Sequence, residues 1–160
     1  MSAPHPTPLP DGLHRLLRAG LPVVLVTVGA DGWGHTAMTW AVAVAPDRVR
    51  FGVDHGSTTL ANLERAGKAA LQVIARDNSI ALIKGRAKPV RARIAAPFAI
   101  AMWELVPIAV KDQAWAQVTV SPLAYAWTGP KAEALRRAEE AVIAELQDWP
   151  GEGARTQDDR

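Results

Sequence analysis

The sequence contains no cysteine among its 160 residues. This absence excludes disulfide bonds, thiolate nucleophiles and cysteine-ligated zinc, and it leaves His, Asp and Glu as the only metal ligands to consider. We predict no metal site from those residues. Any redox activity of the chain would therefore come from a bound cofactor rather than from its own side chains.

Long apolar runs are also missing. No stretch reaches the roughly 18 consecutive apolar residues of a transmembrane helix, so we predict no membrane contact. Residues 1–10 hold four prolines and no Lys or Arg, which is unlike a secretory signal peptide. We therefore expect a cytoplasmic protein.

Common catalytic motifs are absent too: there is no GxGxxG turn, Walker loop, HExxH motif or Ser-His-Asp arrangement. Hydrophobic residues make up 49% of the chain and charged residues 21%, which excludes a wholly disordered chain and suits one compact domain. We predict a flexible segment over residues 1–12, one domain over 13–148 and a disordered tail over 149–160.

Charge is divided along the chain. Residues 1–98 carry 12 basic and 6 acidic side chains, net +6, whereas residues 99–160 carry 6 basic and 10 acidic, net −4. The densest basic stretch contains Lys84, Arg86, Lys88, Arg91 and Arg93. The first three share one face of a strand, which suits an anionic partner such as a phosphate. The alternative is a solvated face or an edge protected by charge. No aromatic residues interleave these cations, so we predict no nucleic-acid partner.

The pattern of apolar residues predicts mostly strands. A short helix is expected over 12–19 and another from Ser57 to Gly67, and a long one over 130–146. Strands are expected over 23–28, 34–44, 48–53, 69–75 and 80–92, the last with a bulge near Pro89. Residues 95–106 have helical character, and 114–127 suit a last strand or pair of strands. This order indicates a small antiparallel barrel.

Residues 21–90 resemble a known family in the order and spacing of their elements. These are VVLVTVGADG at 23–32, HTAMTW at 35–40, RFGV at 50–53, STTLANL at 57–63, ALQV at 70–73 and KGRA at 84–87. Together they resemble the FMN-binding split barrels related to pyridoxamine 5'-phosphate oxidase, in particular the general-stress and flavin reductase-like members rather than the true oxidase. The resemblance implies a mainly β fold with flanking helices, built on a six-stranded antiparallel split β-barrel of Greek-key type.

The resemblance also implies a homodimer that binds FMN in a groove at the subunit interface. It places beside the isoalloxazine ring the second-strand residues Ala37, Met38, Thr39 and Trp40. It places at the phosphate the loop residues Ser57, Thr58 and Thr59. A helix N-terminus with hydroxyl side chains suits a phosphate, and the same hydroxyls also suit plain helix capping, which is compatible with that role.

The phosphate loop departs from the family pattern. The oxidase members have Ser-Arg-Lys in this loop, whereas this chain has Ser57 followed by two threonines and lacks both cations. A cation would then come from elsewhere, and Lys84 or Arg86 is the candidate. The substrate motif of the oxidase, with its Arg and His, is not recognisable after residue 114, so we do not predict pyridoxamine phosphate oxidation.

Three further residues are candidates with ordinary alternatives. Asn62 could reach the cofactor, or it could be a surface helix residue. His35 and His55 lie at strand ends near the expected groove and could act as acid, base or metal ligand, although such histidines are more often turn residues. The six tryptophans suit core or dimer packing, with stacking on a ligand as the minority interpretation.

The leading hypothesis is a dimeric FMN-binding split-barrel oxidoreductase that uses a small-molecule electron donor or acceptor. The alternative is a cofactor-free or deazaflavin-binding split barrel that acts as a small anionic ligand-binding or interaction module.

Overall fold

The computed structural model describes residues 2–150. Its elements, in chain order, are α1 (Asp11–Arg18), β1 (Leu21–Val28), β2 (Gly34–Ala45), β3 (Arg48–Asp54), α2 (Thr58–Ala66), β4 (Lys68–Ala75), β5 (Ser79–Arg91), β6 (Ile100–Asp112) and α3 (Ala132–Asp148). Among the described residues, no helix is long and apolar enough to cross a membrane.

The six strands form one closed barrel in the order β1-β2-β3-β6-β5-β4. Every neighbouring pair is antiparallel. Two of the pairs, β3 with β6 and β1 with β4, join strands that are not consecutive in the chain. The predicted six-stranded antiparallel barrel with flanking helices is therefore confirmed.

Side chains of alternating burial fill the barrel. In β4 every second residue is buried, among them Leu71 and Val73. Fully buried residues from other strands, such as Leu25, Phe51 and Ile83, meet them in one core cluster. Burying a side chain of this size contributes about 1.5–3 kcal/mol, so this cluster is a principal source of stability.

Two irregularities bend β5 against β6. The register shifts between Lys84 and Gly85 and again between Pro89 and Arg91, which confirms the bulge predicted near the proline. At the first shift the backbones of β5 and β6 come very close: a Cβ built on Gly85 would lie only 2.4 Å from the Val106 carbonyl oxygen. Only glycine fits this position without movement of the backbone.

The helix predicted over residues 95–106 is wrong, because the chain enters strand β6 at Ile100. The first six residues of that strand are all buried. One face points into the barrel and the other, including Met102, packs in a second cluster with Val142 and Leu146 of α3. A strand buried on both faces shows no polar alternation, and its apolar run cannot be told from a buried helix by periodicity.

The strand or strands predicted over residues 114–127 are also wrong, because this segment is irregular. Its Val, Thr, Tyr and Trp residues favour strands, but β6 already closes the barrel and leaves no free edge for another strand to pair with. The helix predicted over 130–146 is confirmed as α3, which begins at Ala132.

Both ends of the described chain contact the barrel. The Thr7 backbone N–H donates to the Pro107 carbonyl at 2.8 Å, and Leu9 is buried. At the other end, Trp149 packs against the α3 cluster. The predicted tail beyond residue 150 lies outside the described residues, and the predicted domain limits remain predictions.

Candidate functional site

A cavity of about 440 Å³ opens where β2, β3 and the start of α2 meet the segments around residues 98 and 125. Its volume lies within the roughly 300–1,000 Å³ of small-molecule sites. Its lining residues are Leu25, Ala37, Met38, Thr39, Trp40, Gly52, Val53, Asp54, Ser57, Thr59, Phe98, Ile100, Tyr125 and Trp127. We call this cavity the aromatic pocket.

Strand β2 supplies one wall of the aromatic pocket. All four residues predicted to lie beside a flavin ring, from Ala37 to Trp40, line it. The Thr39 hydroxyl donates to the Gly52 carbonyl oxygen at 2.7 Å, which ties β2 to β3. Gly52 has no side chain to occupy space at this part of the lining, where a Cβ would lie 3.0 Å from the Ile100 side chain.

The start of α2 forms one end of the aromatic pocket. Ser57 caps this helix: its hydroxyl accepts from the Leu60 N–H at 3.1 Å and donates to the Asp54 carbonyl oxygen at 2.7 Å. The capping expected of the hydroxyls is therefore confirmed at Ser57. Of the two threonines, Thr59 is buried and lines the pocket, whereas Thr58 is exposed and does not.

A cluster of aromatic rings also lines the pocket, and we call it the aromatic wall: Trp40 of β2 together with Phe98, Tyr125 and Trp127. Ring centroids lie 5.9 Å apart for Trp40 and Phe98, and 6.4 Å apart for Phe98 and Trp127, whose planes differ by 19°. Tyr125 meets Trp127 edge to face at 5.9 Å. The four rings therefore pack on one another in one aromatic cluster at the pocket.

A hydrogen-bond network holds this wall. The Trp40 indole N–H donates to the Tyr125 hydroxyl, and the Trp127 indole N–H donates to the Glu139 carboxylate. Tyr125 is 40% exposed, and its partial burial raises its pKa above the usual range; its hydrogen bond to Glu139 raises that pKa further. The phenol is therefore neutral at ordinary pH, with its single hydrogen donated to Glu139.

Sequence reasoning did not assign three of the four wall residues to the site. Phe98 lies in the stretch predicted as helix, and Tyr125 lies in the stretch predicted as strand. Trp127 was expected to serve in core or interface packing. The only available signal was composition, because the chain has a single tyrosine and two phenylalanines and two of these three residues lie at the pocket.

The charges at the pocket are not those expected for a phosphate site. Among the described residues that line it, Asp54 carries the only formal charge. Lys84 and Arg86 are exposed on β5, which pairs with β4 and β6, whereas the pocket is built on β2 and β3. Within one chain, the two predicted cations therefore lie away from the pocket.

Asn62 and the two histidines also lie outside the lining. Asn62 is buried, and its amide donates to the Thr27 hydroxyl at 3.0 Å while its oxygen accepts from Arg65 at 3.0 Å. The His55 ring nitrogen bonds the Ala92 carbonyl oxygen at 2.8 Å. His35 is half-buried on β2. In the part of the chain that is described, no group of three His, Asp or Glu residues could hold a metal ion.

The outer surface of β1 and its neighbours is apolar and open to solvent, and we call it the open face. Met38 is 54% exposed and Val28 42%. Four residues that pair across neighbouring strands form one row on this face: Thr36 of β2, Val26 of β1, Ala70 of β4 and Lys84 of β5. The cations on β5 thus border an exposed apolar surface.

Comparison with solved structures identifies the architecture. An F420 reductase superposes with a TM-score of 0.57 at 19% identity, over 66% of this chain and 100% of the reductase. A pyridoxamine 5'-phosphate oxidase-like protein from Lactobacillus delbrueckii gives 0.55 at 19%, over 65% of this chain and 93% of its own. The fold is a split barrel.

The resemblance in fold inferred from the sequence is therefore confirmed. HupZ of Group A Streptococcus shares the same fold, with a TM-score of 0.55 at 12% identity, over 66% of this chain and 94% of HupZ. No protein-family model matches the sequence, and no curated protein matches it. At these identities the likeness shows the split-barrel fold alone.

Proposed function

We propose that this split barrel is a flavin-binding oxidoreductase of the pyridoxamine 5'-phosphate oxidase-like family. The flavin, FMN in the first instance, would bind in the aromatic pocket, and a small-molecule electron donor or acceptor would reach it there. The observation that carries the proposal is that the aromatic wall and strand β2, which share Trp40, line one cavity. The family resemblance seen in the sequence implies a flavin ring beside that same strand.

The residues present fit the ring of a flavin. Trp40, Phe98 and Trp127 bring aromatic rings to the lining, and Thr39 and Gly52 line the same cavity. When bound, a flavin supplies the electron-transfer chemistry itself. The chain needs only to bind the flavin, orient it and exclude water. This agrees with the absence of a Ser-His-Asp arrangement from the sequence.

The phosphate end of the ligand has neutral donors within one chain. The first N–H groups of α2 are unpaired by the helix and carry its positive dipole end. Thr59 adds a hydroxyl at the lining. Because charge-assisted hydrogen bonds are about twice as strong as neutral ones, an additional cation would raise the affinity considerably.

A second copy of the chain can supply that cation. The open face spans four neighbouring strands in the order β2-β1-β4-β5. A two-fold axis along the strands, between β1 and β4, would bring β5 of one copy opposite β2 of the other. Lys84 of the partner subunit and Arg86 of the partner subunit would then lie beside the pocket strand, and both apolar surfaces would be buried.

The direct test is a titration of the purified protein with FMN, followed by the visible spectrum and by flavin fluorescence. Micromolar binding is expected, and a colourless protein that binds no flavin would refute the proposal. The double variant K84A/R86A should bind FMN more weakly, while the matched variant R76A/R137A, which removes two exposed cations of the β4-β5 turn and of α3, should not. Unchanged affinity in K84A/R86A would remove these residues from the phosphate site.

The dimer has its own test. Light scattering should give twice the chain mass, and Met38→Lys should reduce it by placing a charge on the open face. A mixture of two weakly binding variants, one altered in the pocket and one lacking Lys84 and Arg86, should recover wild-type affinity at some sites if each copy contributes to the other's pocket. Monomeric wild-type protein would contradict the shared site.

A deazaflavin is the second candidate cofactor, because the F420 reductase is among the structures with this fold. Such a ligand has a planar ring of the same shape, with a carbon in place of one nitrogen, and a longer anionic tail, which would extend toward the cations of β5. Parallel titrations with FMN and with a deazaflavin decide between them. Binding of neither would favour the cofactor-free alternative, a small-ligand or interaction module.

A further inference from the structure

Glu139 lies on the second turn of α3, outside the lining of the aromatic pocket. Its carboxylate nevertheless contacts two residues of the aromatic wall. The Trp127 indole N–H and the Tyr125 hydroxyl both donate to it, and Tyr125 in turn accepts from Trp40 of strand β2. One carboxylate thus links α3 to the pocket strand through the aromatic wall.

We propose that Glu139 is a positioning residue for the ligand site: it holds Tyr125 and Trp127 in place before the ligand arrives, so that a planar ring stacks on a preformed surface. This inference rests on the proposed function, since the stacked ring is that of the flavin.

The local backbone explains why such an anchor is needed. Residues 113–128 contain no strand or helix, so no ladder of hydrogen bonds fixes the two aromatic residues. The segment is tied to β4 through the Leu123 N–H, which donates to the Ile74 carbonyl oxygen at 2.9 Å. Beyond that point Tyr125 and Trp127 are held by side-chain contacts alone: Tyr125 by Trp40 and Glu139, and Trp127 by Glu139 and the neighbouring rings.

Preorganisation is the expected benefit of this arrangement. A wall that must be ordered on binding costs about 0.5–1.5 kcal/mol for each side chain that is immobilised. Glu139 orders two side chains in the unliganded protein. Its removal should therefore weaken ligand binding even though it does not itself touch the ligand.

The phenol hydrogen of Tyr125 reports on this contact directly. Because the chain contains one tyrosine, tyrosinate absorbance follows this residue alone. Glu139→Gln keeps an oxygen acceptor but removes the charge that disfavours tyrosinate, so Tyr125 should ionise at a lower pH than in the wild type. Glu140→Gln is the matched control, because Glu140 is exposed and pairs with Arg136 instead.

Binding is then measured on the same proteins with FMN, and with a deazaflavin if FMN does not bind. Glu139→Ala is expected to weaken flavin affinity about tenfold, the ratio that corresponds to about 1.4 kcal/mol, and Glu139→Gln less. The urea midpoint, followed alongside, must stay near that of the control. If Glu139→Ala unfolds, the comparison is made on Glu139→Gln alone.

Two results would overturn the inference. One is a tyrosinate titration in Glu139→Gln that matches the wild type, which would show that Tyr125 does not bond Glu139. The other is flavin affinity in the folded Glu139 variants equal to that of the wild type. Wild-type protein that binds neither flavin would refute the proposed function itself, and is thus distinguished from a failure of the positioning role alone.

Discussion

Arg50 offers the sharpest test of how α3 is attached to the barrel. It lies on β3, is 8% exposed, and its Nε is 3.5 Å from a Glu104 carboxylate oxygen. Its Nη1 donates to the carbonyl oxygens of Leu146 at 3.2 Å and Trp149 at 2.6 Å. Carbonyls at the C-terminal end of a helix favour a positive charge, so this guanidinium joins the end of α3 to the barrel.

Arg50→Met removes these bonds while retaining an apolar side chain. The Glu104 carboxylate, 5% exposed, would keep only the Lys88 amine at 3.4 Å, and Lys88 is 63% exposed. Breaking a buried ion pair costs about 3–5 kcal/mol. Because Lys88 retains part of the compensation, we expect about 3 kcal/mol, which is a large part of the roughly 5–15 kcal/mol of a typical domain.

Urea unfolding followed by tryptophan fluorescence measures this loss. With a slope of about 2 kcal/mol per molar urea, the midpoint should fall by about 1.5 M without a change in slope. Arg48→Met is the matched control on the same strand, because Arg48 is half exposed and its pair with Asp47 spans 3.9 Å; it should change stability by less than about 0.5 kcal/mol. Equal midpoints for the two variants would refute the role given to Arg50.

Three further predictions rest on contacts at other places in the fold. Gly85→Ala should lower the thermal midpoint, since its Cβ would lie 2.4 Å from the Val106 carbonyl oxygen and overpacking costs about 1–3 kcal/mol or more; an unchanged midpoint would contradict the close approach. Glu145 accepts hydrogen bonds of 2.7 and 3.0 Å from backbone N–H groups of the loop that carries Phe98. Glu145→Ala should therefore destabilise the protein by about 1–3 kcal/mol and weaken flavin binding. Unchanged urea midpoint and unchanged flavin affinity would contradict this prediction. Tyr125 should ionise at higher pH in the native protein than in urea, so that stability falls as pH rises above about 10, the ordinary tyrosine pKa; coincident titration curves would exclude this.

The first half of the fold could be predicted from local sequence patterns such as turns, alternation and helix caps. The turn at residues 29–32 and the alternation in β3 place three strands in sequence order, and Ser57 and Gly67 bound α2 as its caps. The pocket residues of β2 and α2 could be expected from the same stretch. These elements follow from short-range preferences of the backbone, which one sequence displays directly.

The second half of the fold depends on contacts between residues far apart in the chain. Tyr125 meets Trp40 across 85 positions, and Trp127 reaches Glu139 from an irregular segment. Neither pairing leaves a periodic signal. The error at β6 has a related cause, because α3 buries the outer side of that strand and removes the alternation that would have revealed it.

The charge division of the sequence acquires a structural meaning at α3 and β6. Arg50 pairs with Glu104 and Arg91 with Glu145, and Lys88 joins Glu104 as well, so cations of the first 98 residues are neutralised by carboxylates that follow them. The basic stretch thus divides into members that attach the barrel to its C-terminal part and members that do not.

Lys84 and Arg86 belong to the second group, since among residues 2–150 neither is placed in an ion pair. They stand exposed at the border of the open face, on the part of the barrel that α3 does not cover. In the proposed dimer, a second copy would bring these two residues to an anionic ligand at the aromatic pocket. The affinity for FMN and the stability of the dimer should accordingly rise and fall together, because the dimer would supply cations to the ligand and the bound ligand would in turn stabilise the dimer.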